Sequence, residues 1–465
     1  MNTKYIDLIN QTFDFPQEEF KIDAKKNLHF HDVDTMQLVK EFGTPLKFTY
    51  LPQISNNINR AKTWFKTAMQ KNKYKGKYHY CYCTKSSHFK HVLDEALSND
   101  IHIETSSAID IDIVESLKKD GKITDKTFIL CNGFKRDEYI KKIQGLINSG
   151  HKNCVPIIDN YEEIDLLTNG IRKKINIGIR IASEEEPKFE FYTSRLGIGY
   201  KNIVDFYRRD IKENKKVNLK MLHFFINTGI KDNAYYWNEL NKCLKVYINL
   251  KRICPSLDSL NIGGGFPVKN SLAFDYDYEY MINEIISQIK LACDEAEVQT
   301  PHIFTEFGSF TVGESGGAIY KVLYQKKQND RERWNMINSS FITTLPDSWA
   351  INKRFVLLPL NRWNDNYERV LLGGLTCDSD DYYNSDQHIN AIYLPTYKEE
   401  KPLYIGFFNT GAYQESLGGY GGLQHCLIPQ PKHVIISKNN EGKLEYKVFK
   451  EKQIASDFLK ILGYE

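Results

Sequence analysis

A chain of 465 residues is long enough for two or three domains with large cores. Its 41% hydrophobic and 26% charged residues are ordinary for a soluble globular protein. A net charge of +3 is close to neutral and gives no electrostatic case for a nucleic-acid or membrane partner. The nine cysteines are scattered without a zinc-type spacing and read as reduced thiols of a cytoplasmic protein, with no metal expected. Residues 1–20 have neither a basic start nor an apolar stretch, so no secretory leader is expected. No apolar run approaches the roughly 20 residues of a membrane span.

In chain order, an apolar stripe of Ile54, Ile58, Ala61, Phe65 and Ala68 predicts a helix. Short β-branched or aromatic runs then follow at 78–83, 101–104, 128–131, 155–158, 175–181, 219–226, 260–262 and 302–306, with helical patterns such as 88–97 and 235–250 between them. Strand and helix in alternation predict a parallel sheet. Eight such units favour a closed (β/α)8 barrel over an open sheet. Beyond about residue 318 the pattern changes to strand-like runs at 318–324, 354–358, 370–373, 402–408, 432–437 and 444–450. The expected fold class is therefore α/β, a barrel over 46–317 and a mostly antiparallel β domain built from 1–45 and 318–465.

Barrel enzymes carry their chemistry at the C-terminal ends of the strands. Here those ends present Lys85, Glu104, Arg180, the Asn227-Thr228-Gly229 turn, Gly263-Gly264-Gly265 and Glu306. Each has a plain alternative. Lys85 alone reads as a solvated strand end, the glycines as a tight turn, and Arg180 as structural. Glu306 is harder to set aside, because a carboxylate on an apolar strand is costly to bury without a partner.

Together these residues resemble the fold-type III decarboxylases that use pyridoxal phosphate and act on ornithine, arginine and diaminopimelate. The resemblance runs from Gly43-Thr44-Pro45-Leu46 to Gly411-Ala412-Tyr413. Within the family it is nearest to the biosynthetic arginine decarboxylases. Three strings carry that likeness: Leu345-Pro346-Asp347-Ser348-Trp349-Ala350-Ile351, Leu375-Thr376-Cys377-Asp378-Ser379-Asp380, and Gly411-Ala412-Tyr413-Gln414-Glu415. The resemblance implies that Lys85 is the Schiff-base lysine and that Glu306 pairs with the pyridine nitrogen. It implies that Gly263, Gly264, Gly265, Thr228 and Tyr413 take the phosphate, and that Glu104 and Arg180 line the ring side.

It further implies a homodimer with shared active sites, the assembly beyond the dimer left open. In it Cys377 protonates the substrate carbanion and Asp378 holds the distal cation across the interface. Asp347 and Asp381 are further candidates for that cation, and read equally well as cap or turn residues. The activity implied is decarboxylation of L-arginine to agmatine in polyamine biosynthesis. The rivals are the same chemistry on ornithine, lysine, diaminopimelate or carboxynorspermidine, and a catalytically silent regulatory homologue. Three positions depart from the family: Phe225 replaces a ring-stacking histidine, Ser309 a phosphate-contacting arginine, and Asn261 an aspartate. The acidic segment 183–194 falls where the family has a loop over the site.

Overall fold

The computed structural model describes residues 3–184, 194–383 and 392–464, so most of the 183–194 segment lies outside the described residues. The chain forms two compact units. One comprises Ile54–Pro267 and Tyr276–Thr311, and the other Met1–Gln53, Val268–Asp275 and Val312–Glu465.

The first unit is a closed barrel of eight parallel strands: β1 (Tyr78–Cys83), β2 (His102–Thr105), β3 (Ile129–Cys131), β4 (Cys154–Ile158), β5 (Ile175–Ala182), β6 (Val217–Phe224), β7 (Ser259–Asn261) and β8 (His302–Phe307). Each pairs with the next, and β8 pairs with β1 to close the ring. All eight expected runs are strands. A parallel strand covered by helices on one side and barrel interior on the other is buried on both faces, so it reads as a continuous apolar run. Cys81, Leu130, Val155, Ile157, Met221 and Phe304 pack together as a buried cluster. The helix Pro52–Lys71 carries the expected stripe, with Ile54, Ile58, Ala61, Phe65 and Ala68 all buried.

The second unit contains a ten-stranded, mostly antiparallel sheet and a small three-stranded one among the described residues. The boundary expected at residue 46 is displaced. Leu46–Tyr50 is buried along its whole length, and it pairs with Gly316–Lys327 on one side and Lys432–Lys438 on the other. It is thus an inner strand of this sheet and not the lead-in to the barrel. Its one buried cation, Lys47, donates to Glu415 at 2.7 Å. The core on one face is aromatic, with Phe20, Phe30, Phe48, Trp363 and Phe408. A second core gathers Tyr320, Phe341, Tyr383 and Phe407. No helix among the described residues is long and apolar enough to cross a membrane.

Candidate active site

Lys85 lies in the short turn Thr84–Ser86 that follows β1, and its Nζ donates to Glu104 Oε2 at 2.6 Å. Glu104 is 1% exposed whereas the lysine side chain is 42% exposed, so the amine opens outward from a buried anion. The turn is fixed by Asp110. Its carboxylate accepts from Thr84 Oγ1 at 3.0 Å and from the Ser106 N–H at 2.8 Å, and His88 Nε2 stands 3.0 Å away. Burial pushes the Asp110 carboxyl up, but the His88 hydrogen bond and the Ser106 N–H bring it down to about 2.

Glu104 and Glu306 are close neighbours. Ligating atoms of Cys83, Glu104 and Glu306 all lie within 4.8 Å of one another. Two buried carboxylates this near need donors. Asn132, just after β3, supplies them: its Nδ2 donates to Glu104 Oε1 at 3.1 Å and to Glu306 Oε1 at 2.8 Å. Asn261 Nδ2 donates to the same Glu306 oxygen at 2.6 Å, while its Oδ1 accepts from the Gly263 N–H at 2.9 Å. Asn261 thus ties the carboxylate to the glycine turn. Burial first, then Glu104, pushes the Cys83 thiol up, and the thiol donates to the Glu306 carbonyl at 3.2 Å.

His223 Nε2 stands 3.7 Å from Glu306 Oε2, beyond hydrogen-bond range. Burial, then the charge of Arg180, pushes this imidazole down to about 3, so the pair is a neutral ring beside a carboxylate. The Arg180 guanidinium carbon lies 5.8 Å from the Phe225 ring centre. A side chain on Gly263 would meet the Phe225 ring at 3.3 Å.

The three glycines are required where they stand. Gly263 and Gly265 have φ of +70° and +101°. A Cβ on Gly264 would lie 2.0 Å from the Glu306 carbonyl. The Thr228 loop packs on this turn, with Ile230 N–H donating to Gly265 O at 2.9 Å. Thr228 Oγ1 and Arg180 Nε are buried without a hydrogen-bond partner among the described residues. Such orphans want a ligand or water.

The other expected residues lie in the β unit. Cys377 is exposed, and its Sγ is 3.7 Å from Cys426 Sγ. Asp378 Oδ2 is 3.2 Å from His425 Nε2, with both side chains partly exposed. Tyr413 takes a left-handed conformation (φ 69°) at the start of the short helix Gln414–Leu417. Asp381 has to be corrected as a ligand candidate. It is 5% exposed, and its carboxylate accepts from Ser340 Oγ, Phe341 N–H, Ile342 N–H, Thr376 N–H and Thr376 Oγ1. Those donors fill its lone pairs, so it is a turn-closing residue. Asp347 is also largely committed, accepting from Gln414 Nε2 at 2.7 Å with Lys353 Nζ 3.3 Å away.

Residues 55–313 match the pyridoxal-binding domain of the pyridoxal-dependent decarboxylases. The chain belongs to this family. Biosynthetic arginine decarboxylase from Prochlorococcus marinus (strain AS9601) is 21% identical, over 96% of this chain and 88% of that one. Among solved structures, biosynthetic arginine decarboxylase SpeA from Campylobacter jejuni has a TM-score of 0.82 at 20% identity, covering 100% of this chain and 91% of that one. A diaminopimelate decarboxylase from M. jannaschi has a TM-score of 0.79 at 17% identity, covering 95% and 97%.

This is a pyridoxal phosphate-dependent amino-acid decarboxylase, and the residues present fit the cofactor. They offer an outward-facing amine beside a buried anion, a second carboxylate held by two amides, and a glycine turn with an orphaned hydroxyl beside it. The sequence passed over Asn132, since an asparagine after a strand reads as a turn residue. It also weighed Phe225 as the residue stacking on the ring. The structure sets His223 beside Glu306. Alternation along β6 puts positions 223 and 225 on one face and so could not separate the two.

Proposed function

We propose that this chain decarboxylates L-arginine to agmatine and CO2. The reading is carried by one arrangement: the Lys85 amine, Glu104, Asn132 and Glu306 joined by hydrogen bonds at the C-terminal mouth of the barrel. Bound pyridoxal phosphate supplies an aldehyde that condenses with amines and a ring that accepts the electron pair left by departing CO2. Lys85 is the amine that holds the cofactor covalently, and Glu104 keeps that amine oriented. Glu306, held by Asn132 and Asn261, keeps a proton on the ring nitrogen. The backbone N–H groups of Gly263, Gly264 and Gly265, with Thr228 and Tyr413, take the phosphate dianion. Arg180 and Phe225 line the ring side.

Cys377 delivers the proton to the substrate Cα, and Asp378 accepts the distal guanidinium in place of His425. Asp347 is the weaker partner for that cation, since Lys353 already offsets its charge. These residues act on the barrel of a second copy, so the enzyme is a homodimer with shared sites. The β domain, 1–45 and 318–465 as read from sequence, completes the partner's site. Supporting this, Trp349, Ile351, Leu375, Leu417 and Leu427 are exposed in or near the three strings that resemble arginine decarboxylases, and an apolar surface of this kind is covered by a second protein. Nine free cysteines support a cytoplasmic location, and the arginine activity gives the enzyme its place in polyamine biosynthesis.

The substrate test measures CO2 release by the purified protein from arginine, ornithine, lysine, diaminopimelate and carboxynorspermidine. Arginine is expected to give the highest kcat/KM. Faster turnover of any other overturns the arginine assignment. Ser309, in place of a phosphate-contacting cation, favours one other reading, a silent homologue. Absence of a cofactor absorption band after addition of pyridoxal phosphate would establish it.

A further inference from the structure

Two adjacent residues of one segment meet two adjacent residues of another. Cys377 faces Cys426 with 3.7 Å between sulfurs, and Asp378 faces His425 at 3.2 Å. Of the nine free cysteines, only these two are exposed on the single chain. The other close sulfur pair, Cys131 and Cys154 at 3.8 Å, is buried on adjacent barrel strands and shielded from oxidants. The position of Cys426 is set by its backbone. Cys426 and Leu427 have φ of 53° and 51°, two successive non-glycine residues in the left-handed region. The preceding Gln424 is buried and anchors the segment, its Nε2 donating to Gly418 O at 2.8 Å and its carbonyl accepting from Leu427 N–H at 2.9 Å. The second thiol is therefore held over the first by the fold.

We propose that Cys377 and Cys426 form an oxidation site, at which a peroxide joins the two thiols and withdraws Cys377 from catalysis. The consequence for catalysis rests on the proposed role of Cys377; the site itself rests on geometry. One thiol attacks a peroxide oxygen, giving a sulfenic acid and, from hydrogen peroxide, one water. The second thiol then displaces the sulfenic oxygen as a second water, forming the S–S bond. Two thiols lose two electrons and two protons, and hydrogen peroxide gains them. The sulfurs must approach about 1.7 Å beyond their present separation to reach bonding distance. A dithiol returns both electrons and restores the free pair.

The holoenzyme is treated with hydrogen peroxide, its remaining thiols are blocked, and it is digested without reductant for mass spectrometry. A peptide linking positions 377 and 426, two hydrogens lighter than the separate peptides, is expected. Activity should fall in step with it and return with dithiothreitol. The Cys426→Ser variant should start at wild-type activity and form no linked peptide. Absence of the linked peptide from the oxidised wild type overturns the site. Reduced Cys377→Ala separates the two readings. If it retains full activity, the role of Cys377 in the reaction fails, while the linked peptide still decides the oxidation site.

Discussion

Glu104 and Glu306 owe their buried position to neutral amides as much as to cations. Asn132 bridges both, and Asn261 doubles the hold on Glu306. A hydrogen bond to a charged group contributes about 1.5–3 kcal/mol. Asn132→Leu is therefore expected to lower the unfolding free energy from urea titration by about that much and to weaken retention of pyridoxal phosphate on dialysis; unchanged stability and retention would contradict the bridging role. Cys377→Ala should lower decarboxylation by roughly 10²–10⁴-fold, the range for a positioned proton donor. Wild-type kinetics would exclude it.

His223 gives a pH prediction. In the unfolded chain an imidazole takes up a proton below about 6.5. In the fold it does so only near 3. Between these values the unfolded state binds more protons, so the stability that neutral His223 gives is complete above 6.5 and is lost as pH falls towards 3. At pH 5 that loss is about 2 kcal/mol. His79, His102 and His433, also lowered chiefly by burial, act in the same direction. Urea midpoints from pH 7 to pH 5 should fall less steeply for His223→Gln than for wild type. Parallel slopes would show that His223 does not carry the effect.

Legibility differed by element. Barrel strands announce themselves because both faces are buried, and the residue that follows each is where a barrel places its chemistry. Lys85, Glu104, Arg180 and Glu306 could be picked out on that ground. The β unit was harder. Strand Leu46–Tyr50 contains Lys47 and Thr49, polar residues whose burial depends on Glu415 and His433, 368 and 384 positions away. Local pattern cannot register such partners. The same holds for Asp381, whose turn role appears only once its donors from 340–342 and 376 are gathered round it. The glycine turn was legible as a motif, and the structure adds the reason. Gly264→Ala places a methyl on the Glu306 carbonyl and should destabilise the barrel by on the order of 3 kcal/mol, with loss of cofactor binding. A folded, cofactor-binding Gly264→Ala of unchanged melting temperature would refute the close approach.

At the scale of the whole molecule, the proposed homodimer divides one active site between two copies of the chain. Mixed Lys85→Ala and Cys377→Ala chains, each inactive, should recover activity after dissociation and reassembly; no recovery would argue for sites contained in one chain. Beneath that lies the claim on which every role depends, the covalent hold of Lys85 on the cofactor. Borohydride reduction of the holoenzyme followed by peptide mass spectrometry tests it most directly. The cofactor's mass is expected on Lys85 and none on the Lys85→Ala protein. Modification at another lysine, or none with pyridoxal phosphate in excess, would contradict it.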